Sequence, residues 1–165
     1  MRDNSSKQIV FNEKTITIKV LDSYQEIYDS LVYYKDKLHS LDSGMVKAHT
    51  LAKKYEMNAS VVALSDNNKR VGFSAFYNND GNTHQAYIST IAIASDYEGQ
   101  GYGSLLLSIV EKLCIETGMK RILLETGKTN NRARNFYTKN GYIENGQSHE
   151  NTIYYYKVLD KDSKL

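Results

Sequence analysis

The sequence predicts an α+β domain: a mixed, largely antiparallel central sheet of about seven strands, with about four helices on its two faces. Three patterns carry that expectation. Apolar–polar alternation broken by short polar turns runs through residues 59–93 as an antiparallel meander. An apolar strand, a glycine-rich run, a helical repeat and a second strand follow between Gln85 and Thr126, which is the order of a β-α-β crossover. A last pair of strands closes the chain. A meander in front and a crossover behind require both antiparallel and parallel neighbours in one sheet.

The elements follow in order. Thr15–Leu21 alternates Ile16, Ile18 and Val20 against Thr15, Thr17 and Lys19, a half-buried strand. Ile9–Phe11 can pair with it through Asn12-Glu13-Lys14. Asp22 or Ser23 caps a helix running through Ile27, Leu31, Tyr34 and Leu38, and a second helix covers Met45–Tyr55. Ala59–Leu64 and Val71–Tyr77 form a hairpin around Ser65–Arg70, and Asn78–Asn82 turns into the strand Gln85–Ile93. The helix Ser104–Thr117 stops at Gly118, a good C′ residue. Arg121–Thr126 is a strand, Asn131–Asn140 a helix closed by Gly141, and Tyr142–Glu144 with Thr152–Leu159 a final hairpin.

A chain of 165 residues can bury a substantial core, so 1–165 is read as one domain with disordered tails at 1–8 and 160–165. Twenty-one basic and nineteen acidic residues leave a net charge of +2, without the concentrated basic patch of a nucleic-acid binder. Neither a secretory apolar segment nor an apolar run near 18 residues is visible, so no membrane association is expected. The single cysteine, Cys114, cannot build a disulfide framework, and a reducing cytoplasm fits it best. The fourteen tyrosines are spread over strands and helix faces and read as packing.

Chemistry concentrates in two segments. Glu98-Gly99-Gln100-Gly101-Tyr102-Gly103-Ser104 joins an apolar strand to a helix. There, backbone N–H groups converge, the helix dipole favours negative charge, and glycine admits a close approach. A P-loop would need Lys-Ser/Thr after its last glycine, but Ser104-Leu105 follows Gly103. A Rossmann fingerprint would open an alternating βαβ chain, whereas a meander precedes this loop. A coenzyme A pyrophosphate remains as the ligand reading, and a purely structural turn as the other. The second segment, Asn130–Tyr142, is a short helix presenting one tyrosine.

With both segments in view, the chain resembles the GNAT superfamily of acyl-CoA-dependent N-acyltransferases. The family's Gln/Arg-x-x-Gly-x-Gly/Ala motif is met by Glu98–Gly103 except at its first position. Its Asn-x-x-Ala-x-x-Phe-Tyr-x-Lys-x-Gly-Phe/Tyr pattern is met by Asn130, Ala133, Phe136, Tyr137, Lys139, Gly141 and Tyr142. The resemblance implies acetyl-CoA as cosubstrate and no metal. It implies that Ile91, Ala92 and Ile93 line the pantetheine arm, and that Gly99, Gln100, Gly101, Tyr102, Gly103 and Ser104 hold the pyrophosphate. Asn130, with Ala133 on the same helix, would contact the coenzyme arm, and Tyr137 would be the general acid to the departing thiolate. Two positions depart from the pattern. Glu98 brings a negative charge toward the pyrophosphate, and Ser95 stands where many relatives carry proline.

N-acetylation needs a neutral amine, and one of pKa near 10.4 is deprotonated in only about one molecule in two thousand at pH 7. A base is therefore required. Glu125 is the candidate, because similar enzymes place a glutamate there; a structural strand-end carboxylate is the alternative. Tyr87 and Ser89 could relay a proton through water, and His84 and His149, both expected in turns, are weaker choices. A phenol near pKa 10 donating to a thiolate near 8.5 works uphill by about 2 kcal/mol. Tyr137 must then have a lowered pKa or donate a hydrogen bond without full transfer, while Phe136 turns to the core. N–H groups freed where Ile91–Ile93 splays from its neighbour would stabilise the oxyanion. Cys114, mid-helix in an apolar pattern, is a poor nucleophile, which favours direct attack in a ternary complex.

A small-molecule amine acceptor is expected near Asp22–Tyr55 and the Gly146–Asn151 loop. A protein or peptide amine is the alternative, as is a non-catalytic acyl-CoA sensor. Ile153-Tyr154-Tyr155-Tyr156 reads either as a central buried strand or as a homodimer contact.

Overall fold

The computed structural model describes residues 6–38 and 45–160. Its strands are β1 (Lys7–Phe11), β2 (Lys14–Val20), β3 (Ser60–Asp66), β4 (Lys69–Tyr77), β5 (Gln85–Ile93), β6 (Arg121–Gly127), β7 (Ile143–His149) and β8 (Thr152–Val158). Its helices are α1 (Tyr24–Tyr33), α2 (Met45–Asn58), α3 (Tyr102–Glu116) and α4 (Asn131–Lys139), with 3₁₀ turns at Lys35–Lys37 and Ser95–Tyr97. The sheet order is β1-β2-β3-β4-β5-β6-β8-β7. This is the mixed α+β architecture read from the sequence, with eight strands instead of about seven. The described residues gather into two compact units, one from Met1–Phe76 and Thr90–Leu107, the other from Tyr77–Ser89 and Ser108–Leu165.

In the first unit β1 to β4 form an antiparallel meander. The expected disorder to residue 8 is corrected at Lys7 and Gln8, whose backbones pair with Ile18 and Thr17. Residues 1–5 and 161–165 lie outside the described residues. Both hairpins are tighter than read from sequence. Asn12-Glu13 and Asn67-Asn68 all adopt positive φ, the two-residue geometry that matches strand twist, so Lys14, Ser65, Asp66, Lys69 and Arg70 join strands. Ser23 caps α1 by accepting from the Glu26 N–H. The apolar spacing continues to Leu38, but α1 stops at Tyr33, where the chain tightens into the 3₁₀ turn. Ile16, Ile27, Leu31, Val62, Phe73 and Phe76 fill this unit's core.

In the second unit Gln85–Ile88 of β5 runs parallel to Arg121–Leu124 of β6, and that ladder ends there. β6 pairs antiparallel with β8 along its whole length. β8 is paired on its other edge by β7, so Ile153–Tyr156 is an interior strand. β7 extends to His149, with a broken register around Gly146 at φ +80°, and the hairpin loop shrinks to Glu150-Asn151. Gly118 and Gly141 close α3 and α4 at positive φ, as read. Tyr142 donates to Glu111 Oε1 at 3.1 Å, and Lys157 grips the same carboxylate at 2.9 and 3.0 Å while donating to the Asn140 carbonyl. Among the described residues no helix is long and apolar enough to cross a membrane.

Gly72 leaves little room for a side chain. A Cβ there would meet Ile93 Cδ1 at 2.6 Å, the Ala92 carbonyl oxygen at 3.1 Å and Leu106 Cδ2 at 3.3 Å. The isoleucine tip can turn away, but the carbonyl is backbone and must shift. Gly72→Ala is expected to destabilise the fold by about 1–3 kcal/mol, read as a lower thermal midpoint; an unchanged midpoint would show that β5 yields freely there.

Candidate active site

The first unit holds the glycine loop. Gly99 and Gly101 sit at φ +70° and +87°, conformations that side chains resist. The first intrahelical bond of α3 runs from Leu105 N–H to the Gly101 carbonyl at 3.0 Å. The N–H groups of Tyr102, Gly103 and Ser104 therefore belong to the donor-rich first turn, which has no helical acceptors. Open space surrounds the Cβ position of Gly99, whereas that of Gly101 lies 3.2 Å from Phe11 Cζ. The loop is thus backed by protein on one side and accessible on the other.

Its side chains serve the scaffold. The Tyr102 ring is 1% exposed and packs edge-on to Phe11 and Tyr97, with centroids 5.0 and 5.3 Å away. Gln100 Nε2 donates to the Asp96 carbonyl at 2.7 Å, and the Gln100 carbonyl accepts from Asn12 Nδ2 at 2.8 Å. Tyr97 donates to Asp66 Oδ2 at 3.1 Å. The Lys14 ammonium beside Asp66 holds that carboxyl below its ordinary range. Tyr102 and Gln100 can therefore offer a ligand little beyond their main chain. Upstream, Ala92 is buried while Ile91 and Ile93 are half-buried, as alternation along β5 requires.

Glu98 is neither turned out to solvent nor left facing the loop uncompensated. It forms an ion pair with Lys37 of the first 3₁₀ turn, the two side chains being 27% and 30% exposed. Nothing in the spacing announces this partner, which lies 61 residues earlier.

The second unit holds the remaining predicted residues. Asn130 caps α4, its Oδ1 accepting from the Ala133 N–H at 3.1 Å. That oxygen is committed to the helix, which leaves the amide nitrogen for a ligand. Arg134 braces the same region through the Lys128 carbonyl, Glu144 and the Tyr155 hydroxyl.

The expectation that Phe136 turns to the core is corrected: Tyr137 is the more deeply buried of the two. Tyr137 is 8% exposed, among Phe136, Tyr142 and Tyr155 at centroid distances of 5.2, 5.9 and 6.0 Å, while Phe136 is only half-buried. Burial, with a smaller contribution from Tyr87, pushes the Tyr137 phenol up to about 12. A lowered pKa is therefore excluded. Full proton transfer to a thiolate near 8.5 would be uphill by about 5 kcal/mol.

Glu125 is half-buried on β6 opposite Tyr154, and its side chain has no hydrogen bond or ion pair among the described residues. Strand alternation sets Tyr87, Leu123, Glu125 and Tyr154 on one face, and Leu124 with Tyr155 on the other. Tyr137 packs against Tyr155. Its phenol nonetheless feels Tyr87, a residue of the Glu125 face.

The other candidates recede. His84, at φ +53°, binds the Gly118 carbonyl through Nδ1 at 3.2 Å and accepts from Lys120 N–H, so it ties a turn together. His149 ends β7 instead of lying in a turn, and is exposed. Burial pushes the Cys114 thiol up to about 12, which removes its thiolate at neutral pH. In the expected acceptor region, Tyr28 stacks on His49 at 4.3 Å and Tyr24 shares a hydrogen bond with that imidazole. Residues 39–44 of that region lie outside the described residues.

A glycine loop opening a helix, beside a strand of a mixed sheet in this order, is the architecture of an acyltransferase. The chain belongs to the GNAT acetyltransferase family, whose model matches residues 21–142. A GNAT-family protein of Desulfovibrio desulfuricans superposes with a TM-score of 0.75 at 15% identity, over 88% of this chain and 99% of its own. A candidate streptothricin acetyltransferase of Bacillus anthracis str. Ames, solved with acetyl coenzyme A, is 28% identical with a TM-score of 0.57, over 66% of this chain and 68% of that one. A spermidine N-acetyltransferase of Vibrio cholerae, a dodecamer, gives 0.69 at 14% identity, over 87% and 94%. No curated protein sequence matches the chain.

Proposed function

We propose that this chain is a cytoplasmic N-acetyltransferase, one acyltransferase domain that uses acetyl-CoA to acetylate the primary amine of a small molecule. The observation that carries this reading is the loop Gly99–Ser104, whose two positive-φ glycines open onto the first turn of α3. The residues present fit the coenzyme. Consecutive main-chain donors suit a pyrophosphate, the Gly99 side of the loop is open, and the family model spans both units. When bound, acetyl-CoA supplies the thioester that an amine can attack. The Bacillus anthracis relative holds that same molecule.

Each residue has a physical task. The loop N–H groups hold phosphate oxygens, and Ser104 adds a hydroxyl. The half-buried edges of Ile91 and Ile93 orient the pantetheine arm. Glu125, uncommitted to any partner among the described residues, accepts the proton of the incoming ammonium, directly or through water. Tyr137, protonated throughout the physiological range, donates a hydrogen bond from Oη toward the departing sulfur. Cys114 takes no part, so the amine attacks directly.

Thiol release from acetyl-CoA across a panel of small amines tests the reading. Release with at least one amine is expected; coenzyme binding without transfer to any would overturn it in favour of a sensor. Tyr137→Phe is expected to lower kcat by about 100-fold while leaving acetyl-CoA affinity within about twofold. Because the active form of Tyr137 is the protonated one and its pKa is raised, phenol ionisation should cause no loss of activity between pH 8 and 10. An alkaline fall near pH 9 that vanishes in the Phe variant would refute the raised value.

Lys37 offers a separate check. Lys37→Ala removes the ammonium that pairs with the Glu98 carboxylate at the entrance to the loop. Acetyl-CoA should then bind about threefold to tenfold more weakly at low ionic strength, and the loss should shrink with salt. The double variant Lys37→Ala/Glu98→Gln should recover affinity; failure to recover would mean that Lys37 itself is needed.

A further inference from the structure

Three buried hydroxyls meet in the core of the first unit. Ser74 stands between Phe73 and Ala75 in the buried run of β4, Thr90 occupies an inward position of β5 between Ile88 and Ala92, and Tyr55 lies near the end of α2. Thr90 joins them. Its carbonyl accepts from Ser74 Oγ at 2.8 Å, and its Oγ1 shares a hydrogen bond with the Tyr55 hydroxyl at 2.7 Å. One residue is therefore held at its main chain by β4 and at its side chain by α2. Replacing hydrogen-bonded partners by apolar groups of the same shape can be nearly neutral for stability, so stability alone does not account for such a set. A satisfied buried network fixes orientation instead.

Peptide geometry says what is oriented. The peptide group between Thr90 and Ile91 is trans and planar, so the Thr90 C=O and the Ile91 N–H point in opposite directions. β4 is the sheet neighbour on one side of β5, and residues 92 and 94 turn their main-chain polar groups toward it. The Ala94 N–H donates to the Val71 carbonyl at 2.9 Å, and the Ala92 carbonyl oxygen lies 3.1 Å from the Cβ position of Gly72. The Thr90 carbonyl, bonded to Ser74, follows the same alternation. The Ile91 N–H therefore points away from β4, and the β5–β6 ladder has already ended at Ile88. A donor outside that ladder is thus held in one direction by the Ser74 hydroxyl, through a single rigid plane.

We propose that Ser74 and Tyr55 are positioning residues for acetyl transfer, which aim the Ile91 N–H at the thioester carbonyl of acetyl-CoA. This rests on the reading of the chain as an acetyltransferase. An N–H set beforehand at an oxygen that gains negative charge lowers a barrier without having to reorganise. Ser74 and Tyr55 act only through Thr90, and neither touches the reacting atoms. Without the Ser74 hydroxyl the plane between Thr90 and Ile91 can rock, and its N–H spends less time in line with the carbonyl oxygen. Without the Tyr55 hydroxyl the same residue loses its side-chain anchor.

Infrared difference spectra of the full chain with acetyl-CoA, isotopically labelled at its thioester carbonyl, test this without any turnover. Binding should move the labelled carbonyl stretch to lower frequency, because an aligned N–H polarises that bond. Ser74→Ala should lose most of that displacement and Tyr55→Phe part of it. Each should still bind acetyl-CoA within about twofold of the unmodified chain, since the glycine loop is untouched. A merely structural role for these hydroxyls would lower the thermal midpoint and leave the bound carbonyl's stretch where it is. If Ser74→Ala does not fold, Tyr55→Phe, which keeps the ring, carries the same comparison. With coenzyme bound, an undisplaced stretch in the unmodified chain, or the full displacement in the variants, would overturn the proposal and leave the acetyltransferase reading standing. Failure of acetyl-CoA to bind the unmodified chain would overturn both.

Discussion

Backbone hydrogen bonding is the constraint on which the functional part of this molecule depends. A buried N–H or C=O must find a partner, and most in this chain find one in the sheet ladder or within a helix. β5 breaks the pattern in its second half. Nine residues long, it pairs with β6 only from Gln85 to Ile88, so Ser89–Ile93 continue without a β6 partner. Immediately afterwards come the 3₁₀ turn and the glycine loop, where the first turn of α3 adds further donors. The main-chain donors at the start of α3 thus follow closely on the part of β5 that has left β6, and a ligand rich in phosphate oxygens is what such donors can hold.

Keeping that stretch open takes rigid support. Tyr102, Tyr97 and Phe11 form an aromatic wedge behind the loop, and Tyr97 is anchored to Asp66, itself held by Lys14. Asn12 fixes the Gln100 carbonyl from the tip of the β1–β2 hairpin. The first strand pair, peripheral by sheet order, therefore acts as a brace for the loop. This explains why β1 is ordered although its own residues are mostly exposed.

What the sequence made legible follows the range of the forces involved. Gly118 and Gly141 were readable as helix stops because their role is local, and the glycine loop was readable because its backbone conformation depends on its own residues. The asparagine turns were recognised as turns but drawn too wide, since only pairing across the hairpin shows that Ser65 and Arg70 face each other. The stop of α1 at Tyr33 runs against its own apolar spacing, so a tertiary contact decides it: Tyr34 stacks on Phe73 at 5.6 Å. The Lys37–Glu98 pair was invisible for the same reason, as was the burial of Tyr137 in place of Phe136. Helical spacing shows which residues share a face, and only packing shows which face is covered.

The burial of Tyr137 bears directly on its chemistry. An exposed phenol near pKa 10 would spend a growing fraction of its time ionised in mild alkali, and an anion beside a departing thiolate would repel it. Enclosure by Phe136, Tyr142 and Tyr155 leaves the residue only 8% exposed and favours the protonated phenol. In the proposed role of donor, the hydroxyl would be a dipole held by this packing, with little reorganisation needed as charge develops on sulfur. Glu125, the proposed base, has the opposite requirement: a carboxylate that is to take up a proton and return it to solvent must remain partly wet, and it is half-exposed.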